Sequence, residues 1–273
     1  MAKRSAGDLG SLSRNTSWRP KLAQSLPVRR ISVGDIQISL RRGFEDFWAM
    51  PSHLFFLGLI YPAFGLFVGN IVLEYRIFPM LFPLVAGLTL VGPFVALGLY
   101  EVSRQREIGR DPTWTQVFEL LHHSSRGKIL ELGLFLTALY FAWLVAAILL
   151  FRWILGPTMP ATLVGFVHDV LSTPRGWALI VIGNGVGLLF AAAVLLVSVV
   201  SFPLLLDRRI SVNAAIATSM QAVLVNPWPM TAWGLVVAAG ILAGVLTLLV
   251  GLALTVPILG HATWHLYRAV VPP

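Results

Sequence analysis

WPMTAWGLVVAAGILAGVLTLLVGLALTVPILGHATWHLY, residues 228–267, runs for forty residues without one Asp, Glu, Lys or Arg. A helix rises 1.5 Å per residue, and about 20 apolar residues suffice to cross a bilayer's hydrocarbon core. Forty such residues therefore read as two crossings, and the stretch predicts a helical hairpin that turns near 248–251.

Composition extends that reading to the whole chain. Of 273 residues, 57% are hydrophobic and only 12% charged, against about 45–50% apolar and about 25% charged in soluble domains. Mean hydropathy is +0.80. A soluble fold of this length needs polar side chains to cover its surface, and here they are missing. The net charge of +8 does not point to nucleic acid, because the basic residues flank apolar segments instead of forming a stripe on one face. Without cysteine there is neither a disulfide framework nor a thiolate metal site.

Working outward from the hairpin, four more apolar segments occupy residues 53–73, 78–100, 129–155 and 177–206. The expected fold class is all-α, a polytopic transmembrane helical bundle of six spans. Residues 1–30, basic and rich in Ser, Pro and Gly, read as a flexible cytoplasmic tail, and 31–273 as the transmembrane domain. In residues 31–51, Val33, Ile36, Leu40, Phe44, Phe47 and Trp48 recur at helical spacing opposite Arg41, Arg42, Glu45 and Asp46. This predicts an amphipathic interfacial helix capped by Ser32 or Asp35, with its arginines near the headgroups. Residues 111–126 and 207–227 read as further surface helices, and 156–175 as a loop. Of the 20 Lys and Arg, all but Arg76, Arg152 and Arg175 fall on the side of the tail, which predicts both termini in the cytoplasm of a bacterial inner membrane. Ile31-Ser32-Val33 returns as Ile210-Ser211-Val212, and three surface helices each lead into a hairpin, so a threefold internal hairpin repeat is expected.

Charge inside a span is costly, and almost none is present. Glu101 and Glu131 read as interfacial. Gly183, Asn184 and Gly187, with Gly185 between, and the small-xxx-small pair Gly240 and Gly244 are candidate helix-packing or partner surfaces. Pro62, Pro93, Pro203 and Pro257 are candidate kinks, since each removes a backbone donor. His261 and His265 share one helical face and, with Tyr267 and Arg268, form a candidate polar cytoplasmic cluster to which His122 and His123 are candidate neighbours. No third ligand accompanies the histidine pair, so no metal, cofactor or catalytic set is expected.

The segment GHATWHLYRA (residues 260–269), SFPLLLDR (201–208), and Gly92-Pro93 with Tyr100-Glu101 and Ser103-Arg104 together resemble the DUF2189 family of bacterial integral membrane proteins, over residues 31–270. The resemblance implies a six-span inner-membrane protein and carries over no catalytic residues. The expected partners are membrane lipids and a second membrane protein or another copy of the chain, with no nucleic acid. The reading of activity that follows is an accessory or assembly subunit of a membrane complex. Its alternative is a transporter or channel-like protein for a small neutral or lipid-like substrate.

Overall fold

The computed structural model describes residues 25–50, 53–111, 125–247 and 249–272, with backbone only at 53–61, 86–91 and 93–95. Ten α-helices and one 3-10 turn make up the described residues, which contain no strand. They are α1 (Val33–Ala49), α2 (His53–Glu74), the turn Phe78–Met80, α3 (Leu81–Glu107), α4 (Arg126–Leu155), α5 (Leu163–Ser172), α6 (Pro174–Ser198), α7 (Ser201–Asp207), α8 (Val212–Val225), α9 (Pro227–Leu246) and α10 (Leu252–Val270).

Among the described residues, three helical stretches are long and apolar enough to cross a membrane: α4, the run of α6 and α7, and α9. Their outward faces remain apolar, with Phe141 and Leu149 on α4, Leu188 and Leu189 on α6, and Leu235 and Leu246 on α9 all more than half exposed. Only 17% of the apolar window is buried in α4, and the same share in α9. Water would oppose that arrangement, whereas lipid tails suit it. Helix α10 has a different environment. It packs on α1, α2, α3 and α9, and His261, Ala262, Trp264, Leu266 and Tyr267 are all fully or almost fully buried. A helix enclosed by protein can carry polar groups that a lipid-facing one cannot.

The hairpin of α9 and α10 turns at residues 247–251, where Leu249 takes φ 68°. Its two arms close through glycine. A Cβ on Gly240 would lie 2.9 Å from Leu259 Cδ1, and one on Gly244 2.4 Å from Leu252 Cδ2 and 2.9 Å from the Leu252 nitrogen. Both glycines, expected as helix-packing or partner surfaces, thus pack against the chain's own next helix. On α6, Gly187 accommodates the Trp143 ring and Gly183 lies near Leu150, while a Cβ on Gly185 would point into open space. Asn184 returns its amide to its own helix at Ile180 O, 2.7 Å away.

The prolines have distinct placements. Pro62 lies inside α2 and Pro257 inside α10. Pro93 falls within α3, where only the backbone is described. Pro203 occupies the first turn of α7, where its missing N–H is needed least. Lacking that donor, the chain breaks at residues 199–200 and divides the expected fourth span into α6 and α7. Val200, Phe202, Leu204 and Leu205 around this break are fully buried.

Three expectations about surface segments change. Residues 156–175, read as a loop, contain α5, capped by the Thr162 hydroxyl accepting from Gly165 N. Helix α1 forms as expected, and the Asp35 carboxylate accepts from both the backbone N–H and the hydroxyl of Ser32. Its buried face, however, is Ile36, Ser39, Gly43, Asp46 and Phe47, while Val33, Phe44 and Trp48 are exposed. Small size decided the face. A Cβ on Gly43 would meet the N, Cα and Cβ of Ala262 at 2.6–2.8 Å, so the α1 backbone rests directly on α10. Residues 25–30, read as the end of a flexible tail, are tied down beside it. Leu26 N donates to Thr218 Oγ1, Ile31 N to Asn226 Oδ1, Asn226 Nδ2 to Arg29 O, and Arg29 N to Val270 O.

Candidate functional site

Two places concentrate chemistry, and they lie on different sets of helices. The first is a polar network where α1, α3 and α10 meet. Asp46, 5% exposed, accepts from Ser103 Oγ at 2.6 Å and from His265 Nε2 at 2.8 Å, and its other oxygen pairs with Arg106 Nε at 3.0 Å. Ser103 Oγ also lies 2.8 Å from His261 Nδ1. Because the single Ser103 hydroxyl hydrogen goes to Asp46, His261 Nδ1 must be the donor in that second bond. The network thereby assigns protons to Nδ1 of His261 and Nε2 of His265. Burial raises the Asp46 pKa, but the bonds from His265 and Ser103 outweigh it and hold the carboxyl below its ordinary 3.8.

The network continues on both sides. Glu101, expected at an interface, is 3% exposed and accepts two bonds from Arg104 at 2.8 Å and one from Gln105 at 2.5 Å. Glu107 accepts from Trp264 Nε1 at 3.0 Å and Arg268 Nε at 2.9 Å. Asp207 accepts from the Tyr267 hydroxyl at 2.5 Å and lies 3.5 Å from Arg268 NH1. His261 and His265 therefore reach Ser103 and Asp46, and Tyr267 and Arg268 share Asp207, with Arg268 also on Glu107, while His122 and His123 lie outside the described residues. Ser103 is fully buried, so no substrate atom can reach its oxygen. Among the described residues no group of three or more potential ligands is placed to hold a metal ion. Chemically this is an anchor that fastens α1 to α3 and α10.

The second place is a half-open cavity of about 330 Å³ between the turn at Phe78–Met80, the start of α3, α4, α5 and α6. Its lining is apolar almost throughout, from Phe78, Phe82 and Leu81 to Trp143, Ala147, Leu150, Phe166, Val170 and Ile180, with Gly183 and Asn184 at one side. The Trp143 indole is fixed by donation to Pro83 O at 3.3 Å. A smaller and more polar chamber of about 250 Å³ adjoins it, bounded by Thr158, Asp169, Thr173 and Arg175. Phe151 and Phe166 line both chambers, and their rings meet edge to face at 6.3 Å between centroids. The larger cavity was not legible from the sequence, since it draws on residues from Phe78 to Asn184, and the smaller one, lined from Phe151 to Arg175, depends on α5, which the sequence presents as a loop.

A chain whose described residues form helices and no strand, with apolar outward faces and charge gathered at helix ends, is an integral membrane protein with helices able to cross the bilayer. Within that class, residues 81–207 match the model of the DUF2189 family, described as a predicted integral membrane protein. The matched stretch begins with α3 and ends with α7, so it includes most of the cavity wall and the Ser103 side of the network. Neither the curated proteins nor the solved structures provide a match to this chain.

Proposed function

We propose that the protein binds the hydrocarbon chain of a lipid-like ligand in the cavity between α4, α5 and α6. The observation that carries this reading is the cavity itself. Its volume falls within the roughly 300–1,000 Å³ typical of small-molecule sites, and an apolar lining with a few polar groups is the usual composition of such sites. Along α6, Asn184 lies about 13 Å beyond Arg175 at 1.5 Å per residue, which takes the cavity close to the middle of a ~30 Å hydrocarbon core. This supports the small neutral or lipid-like substrate class. It supports binding more directly than transport, because no embedded charge is present at the cavity to couple ion movement. The reading includes six crossings, with α2, α3 and α10 joining the three apolar stretches, and both termini on the cytoplasmic side of a bacterial inner membrane.

The test is retention of lipid through purification. Native mass spectrometry of the protein released from nanodiscs is expected to find one tightly held lipid. Gly183→Trp, which projects an indole toward the lining, is expected to abolish that species. Equal lipid retention by the variant, or none by the wild type, would defeat the proposal.

An accessory role beside another membrane protein is a second reading. The exposed strip around Gly185 and Asn184 on α6 favours it, since a helix could approach closely there. Co-purification of a stoichiometric membrane partner, lost on Gly185→Leu, is its test; a protein that runs alone in every lipid condition refutes it.

A further inference from the structure

We infer that the ligand is a zwitterionic phospholipid with a primary ammonium headgroup, held with its phosphate at Arg175, its ammonium at Asp169, and one chain in the apolar cavity. This rests on the reading of that cavity as a lipid site and adds the chemical class of the head. Three observations carry it.

The first is the division of the space. An apolar chamber joined to a polar one across the Phe151–Phe166 pair matches an amphiphile, whereas a wholly apolar ligand would leave the Asp169 and Arg175 side without a counterpart. The second is depth. Trp153 and Trp177 flank the polar chamber in sequence and are 75% and 55% exposed. Exposed indoles of this kind settle at the headgroup level of a bilayer. The polar chamber thus lies where phosphates are, and the apolar one extends beneath it among the acyl chains.

The third is charge. The chamber contains one cation, Arg175, and one anion, Asp169, so it complements a head that carries both signs. Asp169 has a weak competitor in the neighbouring His168, 3.7 Å away with both side chains largely exposed. Thr173 is already committed, donating to Asp169 O and accepting from Gly176 N, which keeps the corner between α5 and α6 rigid. That corner is also too tight for a side chain at Gly176, whose Cβ would lie 2.2 Å from Val170 O. A guanidinium binds a phosphate through paired N–H donors. A primary ammonium offers hydrogen-bond donors to a carboxylate that a quaternary ammonium lacks.

The experiment is native mass spectrometry of the full chain from nanodiscs of equal phosphatidylethanolamine, phosphatidylcholine and phosphatidylglycerol. The expected result is enrichment of phosphatidylethanolamine by about fourfold over either competitor, the scale of one exposed charge pair. Asp169→Asn should erase its advantage over phosphatidylcholine, and Arg175→Gln should lower retention of all three. Equal retention of the three lipids by the wild type, with Gly183→Trp still abolishing retention, would overturn the headgroup assignment and leave the cavity reading standing. Enrichment that survives both Asp169→Asn and Arg175→Gln would also overturn it. Loss of all retained lipid in the wild type would defeat both.

Discussion

Replacing Asp46 with Ala removes the carboxylate on which Ser103, His265 and Arg106 converge, at 2.6, 2.8 and 3.0 Å. The effect can be bounded from the surroundings. Ser103 is fully buried and the His265 side chain is 11% exposed, so their donors lose a partner in a place water hardly reaches. Each such loss costs about 1–3 kcal/mol. Arg106, at 31% side-chain exposure, can turn toward solvent, which reduces its share. The sum is about 3–5 kcal/mol, the range found when one member of a buried charged pair is removed. Asp46→Asn keeps an acceptor and loses the charge, so about half that cost is expected. The assay is urea unfolding in a mild detergent, with hydrogen exchange of α1 as the local readout. Asp46→Ala should lower the midpoint and raise exchange across residues 33–49 before the rest of the chain responds. A midpoint shift equivalent to less than ~0.5 kcal/mol, the scale of an ordinary surface substitution, would refute the anchor.

Other consequences are as specific. Because the Asp46 pKa is lowered in the folded state, its contribution is complete above the ordinary value of 3.8 and is lost as pH falls through the depressed folded value; Asp46→Asn should flatten that acid limb of an unfolding-versus-pH series. Gly43→Ala places a methyl within 2.8 Å of Ala262 backbone atoms, so destabilisation of about 1–3 kcal/mol is expected in the same urea assay, and Gly43→Leu should detach α1. Asn226→Ala removes bonds to Ile31 N, Arg29 O and Ala222 O, and trypsin should then cut after Arg29 and Arg30 far sooner than in the wild type. Gly244→Leu should destabilise the isolated chain through the α9–α10 hairpin, seen as a lower thermal midpoint even where no second protein is present.

The hairpin of residues 228–267 was readable because charge is absent for twice the length of a crossing, a signal that no tertiary contact can disguise. The shared face of His261 and His265 was readable from spacing alone. Their acceptor was not, because Asp46 sits among Arg41, Arg42 and Glu45 and follows the polar side of a helix that looks amphipathic. The signal that identifies the docked face is Ser39 and Gly43, small residues four apart, with Asp46 one turn further on. Hydrophobicity ranks that face low, and close packing ranks it high. Gly240 and Gly244 carry the same small-xxx-small pattern, and a sequence records that a helix approaches there but not which one. Ile31-Ser32 and Ile210-Ser211 do open helices alike: Ser39 donates to Asp35 O and Thr218 to Ala214 O, each bonding back one turn. That likeness is local, and the threefold repeat it suggested is not needed to explain it.

The bond between Asp46 and His265 joins residues 219 positions apart, and Arg29 N meets Val270 O across a still longer interval. A ribosome adding about 5–20 residues per second needs roughly 10–45 s to make the intervening chain. For that time the first helix has its carboxylate but neither imidazole, and nothing for Gly43 to rest on. Its attachment is therefore a late event of biosynthesis, and an interrupted chain would carry an undocked α1 as a mark of incompleteness.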